Sequence, residues 1–260
     1  MVDDRAMLQA VLDAPDDDAP RLAYAAWSEA QGEELGVARG ELIRAQIELE
    51  RMEQEDAPAG ELFRIRYRID QLITRHGREW AQPLPDWVES FSFLRGFVGW
   101  VKLEAPQFLQ YAERIFALAP VQHVDLTGVR DVDERLFESK LLAHIRTLAM
   151  DRCGLHDVHV QLLAVSPYVQ NLRWLSLADN ELTLAAAEAI AASEHLRKLR
   201  FAEFRGNPAD PGERLGYDGG VLVASVMPPE ADALEARFGH LAWLHRDVES
   251  SRWDRYLTEG

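Results

Sequence analysis

The sequence predicts an α/β fold, a solenoid of parallel strands and helices entered through an N-terminal helical domain, and three observations carry that prediction. A short apolar pattern recurs five times between residues 98 and 201, the segments between its copies have helical spacing, and the first 80 residues have helical spacing with no strand pattern. With 47% hydrophobic residues in 260, the chain can bury a substantial core.

The N-terminal elements read, in order, as a short helix through MLQAVLDA, a second helix from Ala19 to about Gln31, a third from about Leu35 to Glu55 and a fourth from about Ala59 to Trp80. Asp18, ahead of Ala19 and Pro20, suits a helix N-cap followed by a first-turn proline. DAPAG at 56–60 supplies the turn between the two long helices. Arg64, Arg66, Arg68, Arg75 and Arg78 fall on the fourth helix, where they can pair with the glutamates of ELERMEQED on its neighbour or dock an acidic segment.

The stretch MLQAVLDAPDDDAPRLAYAAWSEAQGEELGVARGELIRAQIELERM resembles the repeat-companion domain at the N-terminus of bacterial proteins with leucine-rich repeats. The resemblance is carried by Asp13, Pro15 and Asp17, then Arg21, Leu22, Tyr24 and Trp27, then Arg39, Glu41, Ile43, Arg44 and Gln46. It departs at Ala26, where the family usually has aspartate, at Ser28, where it usually has leucine, and in an enlarged loop before Arg39. It continues through FLRGFVGWVKL, similar to the family's first strand, and through GNPADPGERLGYDGG to LEARFGHLAWL. What it implies is a fold and a habit of interaction, with no catalytic residues.

The recurring pattern is apolar-x-x-apolar-x-apolar: VGWVKL at 98, VQHVDL at 121, IRTLAM at 145, LRWLSL at 172 and LRKLRF at 196, with starts 23, 24, 27 and 24 residues apart. A period in the twenties with this spacing is the signature of leucine-rich repeats. LRWLSLADNEL fits L-x-x-L-x-L-x-x-N-x-L at every marked position, with Asn180 in the slot whose side chain bonds turn backbone and Cys153 in that slot one unit earlier. Between the strands, APQFLQYAERIFALAP, DERLFESKLLAHI, LHDVHVQLLAVSP and LTLAAAEAIAASEHL read as helices. Crossovers of this kind make the strands parallel, with the sheet on the concave side and the helices on the convex side.

Strand side chains alternate, so Leu175 and Leu177 turn inward while Trp174 and Ser176 turn onto the concave surface. The same register puts Trp100, Lys102 and Glu104 on that surface, followed by His123, Asp125 and Thr127, and then Thr147, Asp151 and Arg152. Asp179 joins Trp174 and Ser176, and Lys198, Arg200 and Glu203 end the series. Tryptophans among mixed charges are the composition of a contact surface, unless a neighbouring loop or terminal segment covers them.

The ends of a solenoid need caps. Residues 1–90 form the first and 91–205 carry the repeats. In 206–260, GNPADPG and MPPE are turn-rich and VLVASV and HLAWL read as short strands. The tail HRDVESSRWDRYLTEG is either a helix on the cap or a loose end.

The chemistry is mostly exclusion. A balance of 28 Lys plus Arg against 44 Asp plus Glu, formal charge −16, repels polyanions and argues against nucleic acid as partner. No apolar run suits a membrane span, no export signal is visible, and one cysteine fits a reducing cytoplasm. No hydrolase, zincin, P-loop or dinucleotide motif is present. HDVH sets His156 and His159 one helical turn apart, but no third ligand is evident and no metal or cofactor is assigned. DAPDDD lacks the glycine and glutamate of a calcium loop, and GYDGGV reads as a hairpin or loop.

The function expected is that of a non-enzymatic protein- or peptide-binding scaffold acting through the concave face. Two alternatives are an accessory that recruits a peptide substrate to a partner enzyme and a metal-dependent or catalytic role around His156 and His159 or the C-terminal cap. Oligomeric state is open.

Overall fold

The computed structural model describes residues 4–132, 134–212, 214–218 and 221–245. It is α/β, with a six-stranded, mostly parallel sheet of order β1-β2-β3-β4-β5-β6. These strands are Ser90–Leu94, Phe97–Glu104, His123–Thr127, Thr147–Ala149, Trp174–Ser176 and Phe201–Glu203. The chain forms two compact units, residues 1–100 with 113–121 and residues 101–112 with 122–260. Among the described residues no helix is long and apolar enough to cross a membrane.

The first unit opens with four helices, α1 (Asp4–Asp13), α2 (Asp18–Ala30), α3 (Glu34–Gln54) and α4 (Ala59–Ala81), each within a few residues of its expected span. The cap of α2 is Asp17 rather than Asp18, its carboxylate accepting the Ala19 amide at 2.9 Å. On α4, Arg66, Arg68 and Arg75 pair with Glu53, Glu41 and Glu34 of α3, so these arginines meet acidic neighbours and only Glu53 comes from the ELERMEQED stretch. Exposed pairs of this kind are worth at most about 1 kcal/mol each.

These helices are built around one turn. Strands β1 and β2 are joined by Arg95 and Gly96, both at positive φ (47° and 84°), as a two-residue hairpin requires. A side chain on Gly96 would meet Ile43 at 2.0 Å, so only glycine fits. Gln46 bonds both edges of the turn, its Nε2 donating to Phe93 O and its Oε1 accepting from Gly96 N, each at 2.7 Å. Arg21, buried, donates from Nη2 to Pro15 O at 2.9 Å and from Nη1 to Arg95 O at 3.1 Å. Its removal from water, and then the charge of Arg95, lower its pKa to about 9. Arg39 lies over the rings of Phe97, Trp80 and Phe93 at 4.7, 5.3 and 5.7 Å, and desolvation lowers its pKa to about 10. Ser28 of α2 donates to Gly36 O in the first turn of α3 at 2.9 Å.

In the second unit β3 to β6 are parallel, in the register His123, Thr147, Trp174 and Phe201, then Val124, Leu148, Leu175 and Ala202, then Asp125, Ala149, Ser176 and Glu203. The Val124 row is buried and inward, followed by Leu126, Met150, Leu177 and Phe204. Helices α5 (Ala105–Leu118), α6 (Asp157–Val165) and α7 (Leu184–Ala192) lie where helical spacing predicts them. DERLFESKLLAHI does not form a helix. It folds as 3-10 turns, because Ser139 accepts the Leu141 amide and restarts the chain in mid-segment.

The last strand is displaced from its expected place. LRKLRF at 196 is not the repeat unit; LRFAEF at 199 is, because the Arg200 and Phe201 amides donate to Arg173 O as the Arg173 and Trp174 amides donate to Arg146 O. The interval is therefore 27 residues twice. Beyond it lie the antiparallel strands β7 (Arg214–Asp218) and β8 (Val221–Val226), the latter over VLVASV as expected, and a helix α8 (Pro229–Phe238) that the sequence reading did not anticipate. MPPE is the start of α8, with Pro228 at the N-cap and Pro229 in the first turn. HLAWL is a 3-10 turn over Ala242–Leu244 rather than a strand, packing Trp243 beside Phe204. The tail beyond His245, like Gly219 and Gly220 of GYDGGV, lies outside the described residues.

Asn180 ties successive units together. Its Oδ1 accepts from Cys153 N and Leu155 N at 3.0 Å each, and its Nδ2 donates to Met150 O, Leu177 O and Ala178 O at 2.9 to 3.2 Å. Asn207 repeats the arrangement 27 residues on, accepting from Leu182 N and donating to Leu177 O and Phe204 O. Asn180→Ala strands buried donors and carbonyls together and should cost about 3 kcal/mol or more in chemical denaturation. Arg21→Ala should lose a comparable amount, about 3 kcal/mol, in the same measurement, since it removes a buried guanidinium that donates to Arg95 O and shares Pro15 O with Arg95 Nη2.

Candidate functional site

Two rows of side chains stand on the strand face opposite the inward leucines. The first is His123, Thr147, Trp174 and Phe201, which are 7, 3, 5 and 4% exposed. All four are buried, whereas Asp125 on the same face is half-buried. His123 Nδ1 meets Thr147 Oγ1 at 2.8 Å, and the Trp174 and Phe201 rings stack with centroids 5.2 Å apart and planes 10° from parallel. Ala149 joins them in one apolar cluster. The Trp174 indole N–H is buried and finds no acceptor among the described residues.

The second row is Asp125, Ala149, Ser176 and Glu203. Lys102 Nζ lies 3.8 Å from Asp125 Oδ2. Asp151 Oδ1 accepts from Ser176 Oγ at 2.6 Å and from Ala178 N at 2.8 Å, so its carboxylate is engaged in fixing the next turn. Glu203 Oε1 accepts from Arg205 N at 2.8 Å. Trp100 lies in the first unit, buried, with no acceptor for its indole N–H among the described residues.

Not all the expected contact residues join these rows. Arg152 and Asp179 occupy the left-handed turn that follows each strand, both with φ of 55°, and form an exposed pair at 3.3 Å. Gly206 holds the same position in the next unit with φ of 75°, and a side chain there would meet Asp179 Oδ1 at 2.1 Å. Lys198 is exposed and donates to Asn171 Oδ1 at 3.1 Å, and Arg200 is exposed beside Arg173 in register. The displaced register thus removes Lys198 and Arg200 from the face and brings in Phe201, which the sequence reading missed. The signal was present in LRFAEF, whose apolar spacing repeats IRTLAM and LRWLSL at a constant 27 residues.

His156 and His159 have structural roles. His159 Nδ1 accepts from His156 N at 2.9 Å in a capping box at the start of α6, while Asp157 accepts from Thr183 N and Thr183 Oγ1 at 2.8 and 2.6 Å. A different group has ligand geometry. Glu235, His240 and His245 bring a carboxylate oxygen and two ring nitrogens within 4.8 Å of one another. No protein-family model, no curated protein and no solved structure matches the chain.

Cys153 is buried, its thiol donating to Leu126 O at 3.2 Å, and burial raises its pKa. The thiolate is the reactive form. Iodoacetamide should therefore label the native protein slowly at neutral pH and label the urea-unfolded chain rapidly, a contrast read by intact mass.

Proposed function

We propose that the protein is a non-enzymatic binding scaffold that holds an extended polypeptide across the outward face of β3 to β6. The observation that carries the reading is the dry Trp174–Phe201 stack on that face with an indole N–H left to donate. Aromatic anchors that are stacked and desolvated dominate binding energy, while neighbouring polar groups set orientation. Here the anchors have beside them the carboxylates of Asp125 and Glu203 and the Ser176 hydroxyl, which favour a ligand with apolar and basic side chains.

The same reading takes β3 to β6 and their connections as leucine-rich repeats. It is supported by the parallel register, the 27-residue interval and the equivalent bonding of Asn180 and Asn207. It takes the first four helices as the companion that accompanies such repeats. There the residues carrying the resemblance, Arg21, Arg39 and Gln46, converge on the β1 to β2 hairpin.

A peptide-display selection against the wild-type chain supplies a ligand for calorimetry. Trp174→Ala should weaken its binding by about 2 kcal/mol or more with the far-ultraviolet circular dichroism unchanged, and Phe201→Ala should weaken it similarly. Unchanged affinity in both folded variants would remove the site from this face.

A further inference from the structure

We propose that Glu235, His240 and His245 form a binding site for a divalent transition-metal ion, zinc by the chemistry of its donors. The site arises from the end of α8. Glu235 lies in the helix's last turn, Gly239 leaves the helix with φ of 82° while its amide closes on Glu235 O, and His240 turns back beside Glu235. The 3-10 turn Ala242–Leu244 then returns His245 to the same carboxylate. Three separate positions of the backbone therefore converge on one point.

Glu235 Oε1 lies 2.9 Å from His240 Nδ1, 2.9 Å from His245 Nε2 and 2.9 Å from the Leu241 amide that donates to it. The two imidazoles are 4.9 Å apart, centre to centre. The Leu241 amide fixes the carboxylate, as outer-shell donors do for metal ligands. Two imidazole nitrogens with one carboxylate oxygen form the borderline donor set of zinc, whereas calcium and magnesium take oxygen ligands. Three protein ligands leave a position for water.

Without the ion, each ring can donate to Glu235. Binding needs both facing nitrogens unprotonated, so the ring protons sit on His240 Nε2 and His245 Nδ1, and the N–H···O bonds give way to metal bonds. Protons on those nitrogens therefore compete with the ion. The ion would join the end of α8 to the turn that packs Trp243 against Phe204, and so hold the cap on the last strand. This assignment is independent of the peptide-binding reading.

The test is calorimetric titration of zinc chloride into the metal-stripped, full-length protein at one fixed, mildly alkaline pH. The wild type, His240→Ala, His245→Ala, Glu235→Gln and His156→Ala chains are compared. His240 has a side chain that is 72% exposed, so its alanine variant keeps the fold, which circular dichroism verifies. The expected result is one ion per wild-type chain, binding weakened at least about tenfold in the His240 and His245 variants, and no change in His156→Ala. Cobalt in place of zinc should give visible d–d bands that the same two variants lose. No saturable binding by the folded wild type, or a titration unaffected by His240→Ala and His245→Ala, overturns the assignment.

Discussion

The side chain of Asn180 is the interaction on which the second unit depends. Parallel strands three residues long make few ladder bonds, so the turn after each strand leaves amides and carbonyls inside the protein. One carboxamide, with two donors and two acceptor lone pairs, meets that need without charge, and its contacts reach from Met150 to Ala178. Asn207 does the same for the next interval, and Cys153 fills the slot before with a smaller side chain whose thiol reaches Leu126 O. The backbone conformation follows this bonding. The residue preceding each slot, Arg152, Asp179 or Gly206, is left-handed, and there the sequence tolerates a charged residue twice and needs glycine once.

The first unit solves a related problem with charged groups. The tight β1 to β2 turn has both central residues at positive φ, and its carbonyls and amide point into helices rather than into water. Arg21 supplies donors and Gln46 supplies both kinds of group, at separations of more than 45 residues in sequence. A buried guanidinium costs desolvation, which is why its proton is held less tightly there. What that cost gives is a fixed geometry between helices and hairpin, since the donor fork fits one arrangement of carbonyls.

The helices were legible because their apolar spacing is strong and their boundaries carry turn residues, while the segments that were not legible are those where a local side chain decides. Ser139 breaks an otherwise helical pattern into 3-10 turns, and Pro228 with Pro229 starts a helix in a stretch whose composition reads as turn. The final strand was misread for a different reason. LRKLRF and LRFAEF both satisfy the apolar spacing and overlap by three residues, so the pattern within one copy does not choose between them. Asn207 breaks the tie, because only the second choice puts it at the same distance past the start of its strand as Cys153 and Asn180 are past theirs. The group of Glu235, His240 and His245 had no comparable signal, as its convergence depends on the turn conformation at Gly239.

Trp174 was legible as an outward residue but not as a buried one, and the difference bears on what the face does. A strand buried on both sides usually reads as a continuous apolar run, and β4, β5 and β6, Thr-Leu-Ala, Trp-Leu-Ser and Phe-Ala-Glu, each carry two adjacent apolar residues and one polar one. Their outward polar groups have been given partners from the next turn, as Ser176 has Asp151 and Glu203 has the Arg205 amide. The Trp174 indole has none among the described residues. The indoles of Trp80 and Trp100 are likewise without an acceptor among the described residues, and leaving a buried donor unmatched costs roughly 1–3 kcal/mol. A surface that receives an extended backbone has a use for it, because a carbonyl of the bound chain can accept the indole proton while its side chains lie against the stacked rings. In the binding reading proposed above, the Trp174 indole is the donor offered to the bound chain.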